Sequence, residues 1–280
     1  MVLQSFSRLN KCYSKPRLCR SFCHGLLLSF VLVGSIGVQA GIYDEWAHSR
    51  KITFQGYDKT ETLTNFPLLV ILSNDTATGF AYADCLSTNG GDLRFSNSNQ
   101  TSALNHEIEK WDTNGSSYVW VQVTNLTSAG DYIYVYWGYT NTTAPTGNAW
   151  DSNYAGVWHM AQTNALDSTT NARNGAASNV TLTAAGVVDG ADDFSASGRV
   201  QVADSPAFTL SGAYTLSAWI NAQTSSTHMS IAGTYNGASG FIFALTNTTR
   251  TLAIWAGATW VSSRYNVPTN IWKYVAYTRN

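Results

Sequence analysis

The sequence predicts an all-β protein built from two consecutive units, and three observations carry that prediction. Apolar and polar side chains alternate with a period of two through most of the first half. No long helical period occurs after Gly41. Charged residues make up only 12% of the chain, while Thr, Ser, Asn, Gly and aromatics are abundant. That composition suits pleated surfaces joined by tight turns.

The first element is a leader. Arg8, Lys11, Lys15, Arg17 and Arg20 precede an apolar run from Leu26 to Val38, and no acidic residue occurs before Asp44. Val38-Gln39-Ala40 supplies the small residues of a cleavage site. This three-part layout predicts a secretory signal peptide over 1–40, cut after Ala40, with an apolar run too short to span a bilayer. The competing reading is a retained membrane anchor. A lipoprotein signal would need a cysteine at the end of the apolar run, whereas Cys23 lies before it. The expected destination is therefore outside the cytoplasm: secreted, at the cell surface or in the periplasm.

Removing the leader changes the charge balance. Five of the 16 Lys and Arg leave with it, so 11 remain against 17 Asp and Glu, a net of −6. No basic patch survives, so neither nucleic acid nor an anionic membrane is an expected partner, and no transmembrane segment is expected after cleavage. Cys12, Cys19 and Cys23 leave as well. Cys85 alone forms neither an internal disulfide nor a cysteine metal cluster. It is expected as a small buried side chain, with a pairing outside this stretch of chain left open.

The expected strands follow in order. Arg50–Phe54, Leu68–Leu72, Leu93–Ser96 and Leu104–Trp111 come first. In 118–123, Val119, Val121 and Val123 share one face; in 131–137, Ile133, Val135 and Trp137 lie opposite Tyr132, Tyr134 and Tyr136. The turn-rich stretch 125–130 joins these two. Polar residues 140–149 read as a linker between a first unit over 41–139 and a second over 150–280. Strands in the second are expected at Arg199–Val202, Thr215–Asn221, Met229–Tyr235, Gly240–Leu245, Leu252–Trp255 and Trp272–Thr278, separated by Gly-, Ser- and Asn-rich turns. Short strands at this spacing predict a sandwich or jelly roll. The last strand ends two residues before Asn280 and needs a neighbour or a protected edge, so the chain is expected to be a fragment of a longer secreted β protein.

Particular residues carry two family resemblances. Trp46 with Arg50-Lys51-Ile52-Thr53, Asn65-Phe66-Pro67-Leu68-Leu69-Val70, Gly91-Asp92-Leu93-Arg94-Phe95, Glu107-Ile108-Glu109-Lys110-Trp111-Asp112, Trp120-Val121 and Tyr134-Val135-Tyr136-Trp137-Gly138 make 46–139 resemble an uncharacterised domain of secreted bacterial proteins. That resemblance implies no activity. It implies a domain that often precedes a lectin-like one, with relatives linked to transport systems of the MotA/TolQ/ExbB type. In the second unit, Gly156-Val157-Trp158-His159-Met160, Asp167-Ser168-Thr169, 188–194, 200–202, 205–208, 214–220 and Trp272-Lys273-Tyr274-Val275-Ala276 resemble a LamG-like, concanavalin A-like jelly roll. In that family more strands follow the last of these, which makes the jelly roll expected here incomplete.

Three constellations offer chemistry. Glu107 and Glu109 share a strand face, with Cα atoms about 6.6 Å apart, and paired carboxylates on one strand serve retaining glycosidases, whose carboxyls lie about 5–5.5 Å apart. Against that reading, the pair lies outside the jelly roll, and a strand without a bulge turns Asp112 to the opposite face. Structural carboxylates are the expectation, and no catalytic residue is assigned. Asp189, Asp192 and Asp193 form an acidic turn that could supply oxygen ligands to calcium, the one cofactor left open. Tyr235, Trp255 and Trp260 are candidate platforms for pyranose rings, with Trp260 expected in a turn. Trp219 and Trp272, within apolar strands, are expected in the core. His159 has no matched nucleophile and is expected to be structural. No phosphate loop or dinucleotide fingerprint occurs.

The resulting expectation is a non-catalytic recognition or adhesion module binding carbohydrate or another surface polymer. The alternatives are a glycoside hydrolase using Glu107 and Glu109, and a structural spacer of a large envelope protein tied to a TolQ/ExbB-type system.

Overall fold

The computed structural model describes residues 40–76, 79–140, 143, 148–162, 164–183, 186–194, 197–225, 227–234, 239–256 and 259–280. The expected leader up to Gln39 with its three cysteines, most of the expected linker and Tyr235 lie outside these residues. Among the described residues the protein is all-β, with two single 3-10 turns and no α-helix.

The first unit comprises β1 (His48–Thr53), β2 (Leu63–Leu72), β3 (Arg94–Ser96), β4 (His106–Lys110), β5 (Ser117–Leu126) and β6 (Tyr132–Trp137). These make two three-stranded antiparallel sheets, β1-β6-β3 and β2-β5-β4. The sheets face each other because the period-two pattern gives each one apolar side. Val119, Val121 and Val123 of β5 meet Ile133, Val135 and Trp137 of β6 in one core with Leu68, Val70 and Phe95. Each such side chain contributes roughly 1.5–3 kcal/mol by leaving water.

A buried carboxylate ties the loops of this unit. Asp92 accepts the backbone N–H groups of Leu86 at 2.9 Å, Ser87 at 3.4 Å and Gly138 at 3.0 Å. Gly138 donates from a left-handed backbone with φ of 83°, which a side chain would strain. Cys85 packs at the edge of the same core, where burial, aided by the Asp92 and Asp84 charges, pushes its thiol up to about 12.

The outer face of β2-β5-β4 is also covered. Leu69, Trp120 and Glu107 form one rung across the three strands. Trp120 and Leu69 pack with Ala149, Trp150, Val157 and Val188 in a separate apolar cluster. The packing therefore runs on from the first unit through residue 188.

Next come β7 (Gly175–Ser178), β8 (Thr181–Thr183), β9 (Ala191–Asp193) and β10 (Arg199–Val202), which pair as the ribbons β7-β10 and β8-β9. They lead to β11 (Tyr214–Asn221), β12 (Met229–Gly233), β13 (Phe241–Leu245), β14 (Thr251–Ala256), β15 (Trp260–Asn266) and β16 (Trp272–Arg279). The pair β11-β16 lies against the four-stranded sheet β12-β13-β14-β15, burying Leu216, Ala218 and Val275 with Phe243, Leu245 and Ile254. Alternation sets the outcome for two tryptophans expected in the core. With Leu216, Ala218 and Val275 facing inward, Trp219 and Trp272 fall on the outer face and are half-buried.

Candidate functional site

A polar cluster sits where the first unit meets the segment from Ala149 to Val188. It is built on an irregularity in β4. Ile108 pairs with Val119 and Lys110 pairs with Tyr118, so Glu109 is an extra residue opposite a single step of β5. This β-bulge re-aims the side chains that follow it. Lys110 comes to the same outer face as Glu107, and Glu109 reaches that face as well, accepting the Trp120 indole N–H at 2.6 Å. The strand was expected without a bulge.

The covering segment supplies the other half. Asp167 holds it in shape by accepting the backbone N–H groups of Val157, Thr169 and Arg173 at 3.0, 3.0 and 2.9 Å. Glu107 then receives three groups from that segment: the Trp150 indole N–H at 2.6 Å, the Ser168 hydroxyl at 2.6 Å and His159 Nε2 at 3.2 Å. His159 Nδ1 lies 3.2 Å from Glu109 Oε2, at ion-pair distance but off the line of a hydrogen bond. One imidazole thus bridges two carboxylates, with the Trp120 ring parallel to it at 6.1 Å and the Trp150 ring tilted at 5.9 Å.

These surroundings split the proton affinities of the three groups. Burial pushes the Glu109 carboxyl up to about 7, only partly offset by His159 and the Trp120 indole. Burial also acts to raise Glu107, but His159, Ser168 and Trp150 together hold it below the usual carboxylate range. Burial alone would lower His159, yet its hydrogen bond to Glu107 and the charges of both carboxylates raise it. The group exposed to least water is Glu109, whose side chain retains 3% of its accessible surface.

The sequence picked out Glu107 and Glu109 and read His159 as structural. It missed Trp150, Ser168 and the bridging position of His159. The carboxylates lie some fifty residues before the histidine, so no local spacing could have linked them.

The structure does not gather the acidic turn into one site. Asp189 forms an ion pair with Lys110 at 2.8 Å. Asp192 and Asp193 are consecutive in β9, so their side chains point to opposite faces. Burial raises the Asp192 carboxyl to about 6. Among the described residues no three His, Cys, Asp or Glu side chains converge as metal ligands.

The aromatic candidates fall on the sheet β12-β13-β14-β15. Trp260 opens strand β15 rather than lying in a turn, and its direct cross-strand partner is Trp255. Two adjacent rungs share this outer face: Gly233, Ile242, Trp255 and Trp260 form one, and Ser230, Ala244, Ala253 and Ser262 the other. Trp260 is 39% exposed, Trp255 is half-buried, and Ser230 and Ser262 are exposed. The His228 ring stacks on Trp260 with centroids 4.9 Å apart. Tyr235 lies outside the described residues.

Comparison with known proteins agrees with this layout. Residues 89–156 match the family model described as Domain of unknown function (DUF2341). Residues 194–280 match that of the concanavalin A-like lectin/glucanases superfamily. The chain therefore carries the first domain followed by a concanavalin A-like one, and residues 194–280 have a lectin-like fold. No curated protein and no solved structure matches the chain.

Proposed function

We propose that this protein is an exported, non-catalytic recognition module that binds carbohydrate through the outer face of β12-β13-β14-β15. The observation that carries the reading is the exposed Trp260 indole, paired with Trp255 and followed on the same face of its strand by the exposed Ser262 hydroxyl, on a concanavalin A-like sheet. An aromatic face stacks on the apolar face of a pyranose, while neighbouring hydroxyls exchange hydrogen bonds with the sugar. With one indole face covered by His228, the exposed remainder is what a sugar ring would meet. Export rests on the basic, apolar and small-residue order of the leader.

One observation favours a hydrolase instead: Glu109 and Glu107 have proton affinities pushed in opposite directions, as an acid and nucleophile pair requires. The His159 ring occupies the space between them, however, where a glycosidic oxygen would have to lie. Recognition is the reading we adopt.

The test is a glycan array probed with the full-length exported protein, followed by titration of the best ligand. Trp260→Ala should weaken binding at least tenfold while leaving stability within about 0.5 kcal/mol, as for an ordinary surface change. A wild-type protein that binds no glycan, or a variant that binds as well as wild type, overturns the reading.

A further inference from the structure

We propose that Glu107, His159 and Glu109 form a proton-operated clasp. It holds the 149–188 segment against β2-β5-β4 in mildly acidic to neutral solution and loosens it in alkali.

The argument begins with what joins these two layers. The apolar contact is small, comprising Leu69, Trp120, Ala149, Trp150, Val157 and Val188 as its buried members. Most polar links across it converge on β4: Trp150, His159 and Ser168 all reach Glu107, His159 also reaches Glu109, and Lys110 reaches Asp189. Two longer ones, Asn65 of β2 to Asp151 and Gln122 of β5 to the Ala149 carbonyl, are both 3.4 Å. A neutral imidazole has one N–H and one lone pair. With a carboxylate oxygen 3.2 Å from each ring nitrogen, the neutral ring would turn a lone pair toward one of them. Only the imidazolium donates to Glu107 while also setting a positive charge beside Glu109, whose oxygen lies off the line of the Nδ1–H.

The charged and titratable groups facing His159 can be taken element by element. Strand β4 presents Glu107 and Glu109, and Lys110 is held by Asp189 further out. The adjoining residues from β5 and the covering segment are the uncharged Trp120, Trp150 and Ser168. The hydrogen bond to Asp189 raises the Lys110 ammonium above its ordinary value, so it keeps its charge through the working range.

The signs are consistent. A histidine raised in the folded state contributes stability that is present below its unfolded value near 6.5 and lost as pH climbs through the higher folded value. Glu109, raised to about 7, adds a cost as it ionises on the way up, because a second carboxylate charge is then buried. Glu107, lowered, contributes above its ordinary value and loses that contribution only in stronger acid. The clasp is therefore tightest between the acid loss of Glu107 and the alkaline loss of the His159 proton. Opening would bring water to the indoles of Trp120 and Trp150, whose N–H groups end on the same carboxylates.

The experiment is a titration of the full-length wild-type protein from pH 5.5 to 9, following the 15N signals of the His159 ring and of the Trp120 and Trp150 indoles, with melting temperature measured in parallel. The His159 ring should stay doubly protonated above pH 6.5. The two indole signals should shift together with its titration, and the melting temperature should fall by at least about 2–4 °C across it. His159→Gln should remove most of that fall. A ring that is already neutral at pH 6.5, or indole signals indifferent to its titration, overturns the proposal. Should the variant not fold, the wild-type titration decides alone.

Discussion

His106 is the immediate neighbour of Glu107, yet its environment is the reverse. It points inward from β4, retains 3% of its surface and lies 5.0 Å from the Phe95 ring. Burial lowers its proton affinity to about 4. Neutral in the folded state and protonated in the unfolded one, it leaves stability intact above pH 6.5 and drains it as pH falls from there toward 4. The full loss is roughly 2–4 kcal/mol for a shift of this size. Denaturant melts at pH 7 and pH 4.5 should show His106→Leu losing distinctly less stability than wild type on acidification. An equal loss would mean that the unfolded chain also keeps this ring neutral. Two consecutive residues, facing opposite ways along one strand, thus both lose stability in acid, His106 because it is buried and Glu107 because it forfeits its hydrogen-bonded charge.

At the scale of an element, the bulge in β4 decides what its carboxylates can do. Deleting Glu109 would restore regular pairing and leave Glu107 and Lys110 on the outer face with Ile108 inward. It would also remove the acceptor of the Trp120 indole N–H and the second carboxylate beside His159. The deletion should lower the melting temperature more than Glu109→Gln, which keeps an oxygen for that indole, and equal melting temperatures would argue that the bulge is dispensable. The strands with clear alternation, such as those carrying Val119–Val123 and Ile133–Trp137, were legible in the sequence because one face of each meets the core. The bulge was not, since an extra residue leaves no mark in a period-two pattern this short. Strand β15 escaped for another reason: all seven of its residues are exposed, so no apolar alternation records its position. Strands β7, β8 and β9 are only three or four residues long, which hides them in the same way. Trp219 was misjudged because an apolar strand exposed on one side looks alike from either face until its partner sheet is known.

For the whole molecule, the central fact is that the 149–188 segment, which leads to the concanavalin A-like domain, is joined to the first unit by packed side chains as well as by the chain itself. Trp120 has no exposed surface because Trp150 and Val157 cover it. A piece comprising 41–140 should therefore expose Trp120 and Leu69, emit red-shifted tryptophan fluorescence and self-associate, while a piece ending at 190 should do neither. Indistinguishable spectra would show that the first unit closes over this face unaided. Cys85 bears on the molecule in a different way. It is the single thiol among the described residues, and it stays undissociated at any physiological pH. Thiolate is the form that oxidants and alkylating reagents attack. Even at high concentration in oxidising surroundings, two molecules meeting there would part without being covalently cross-linked.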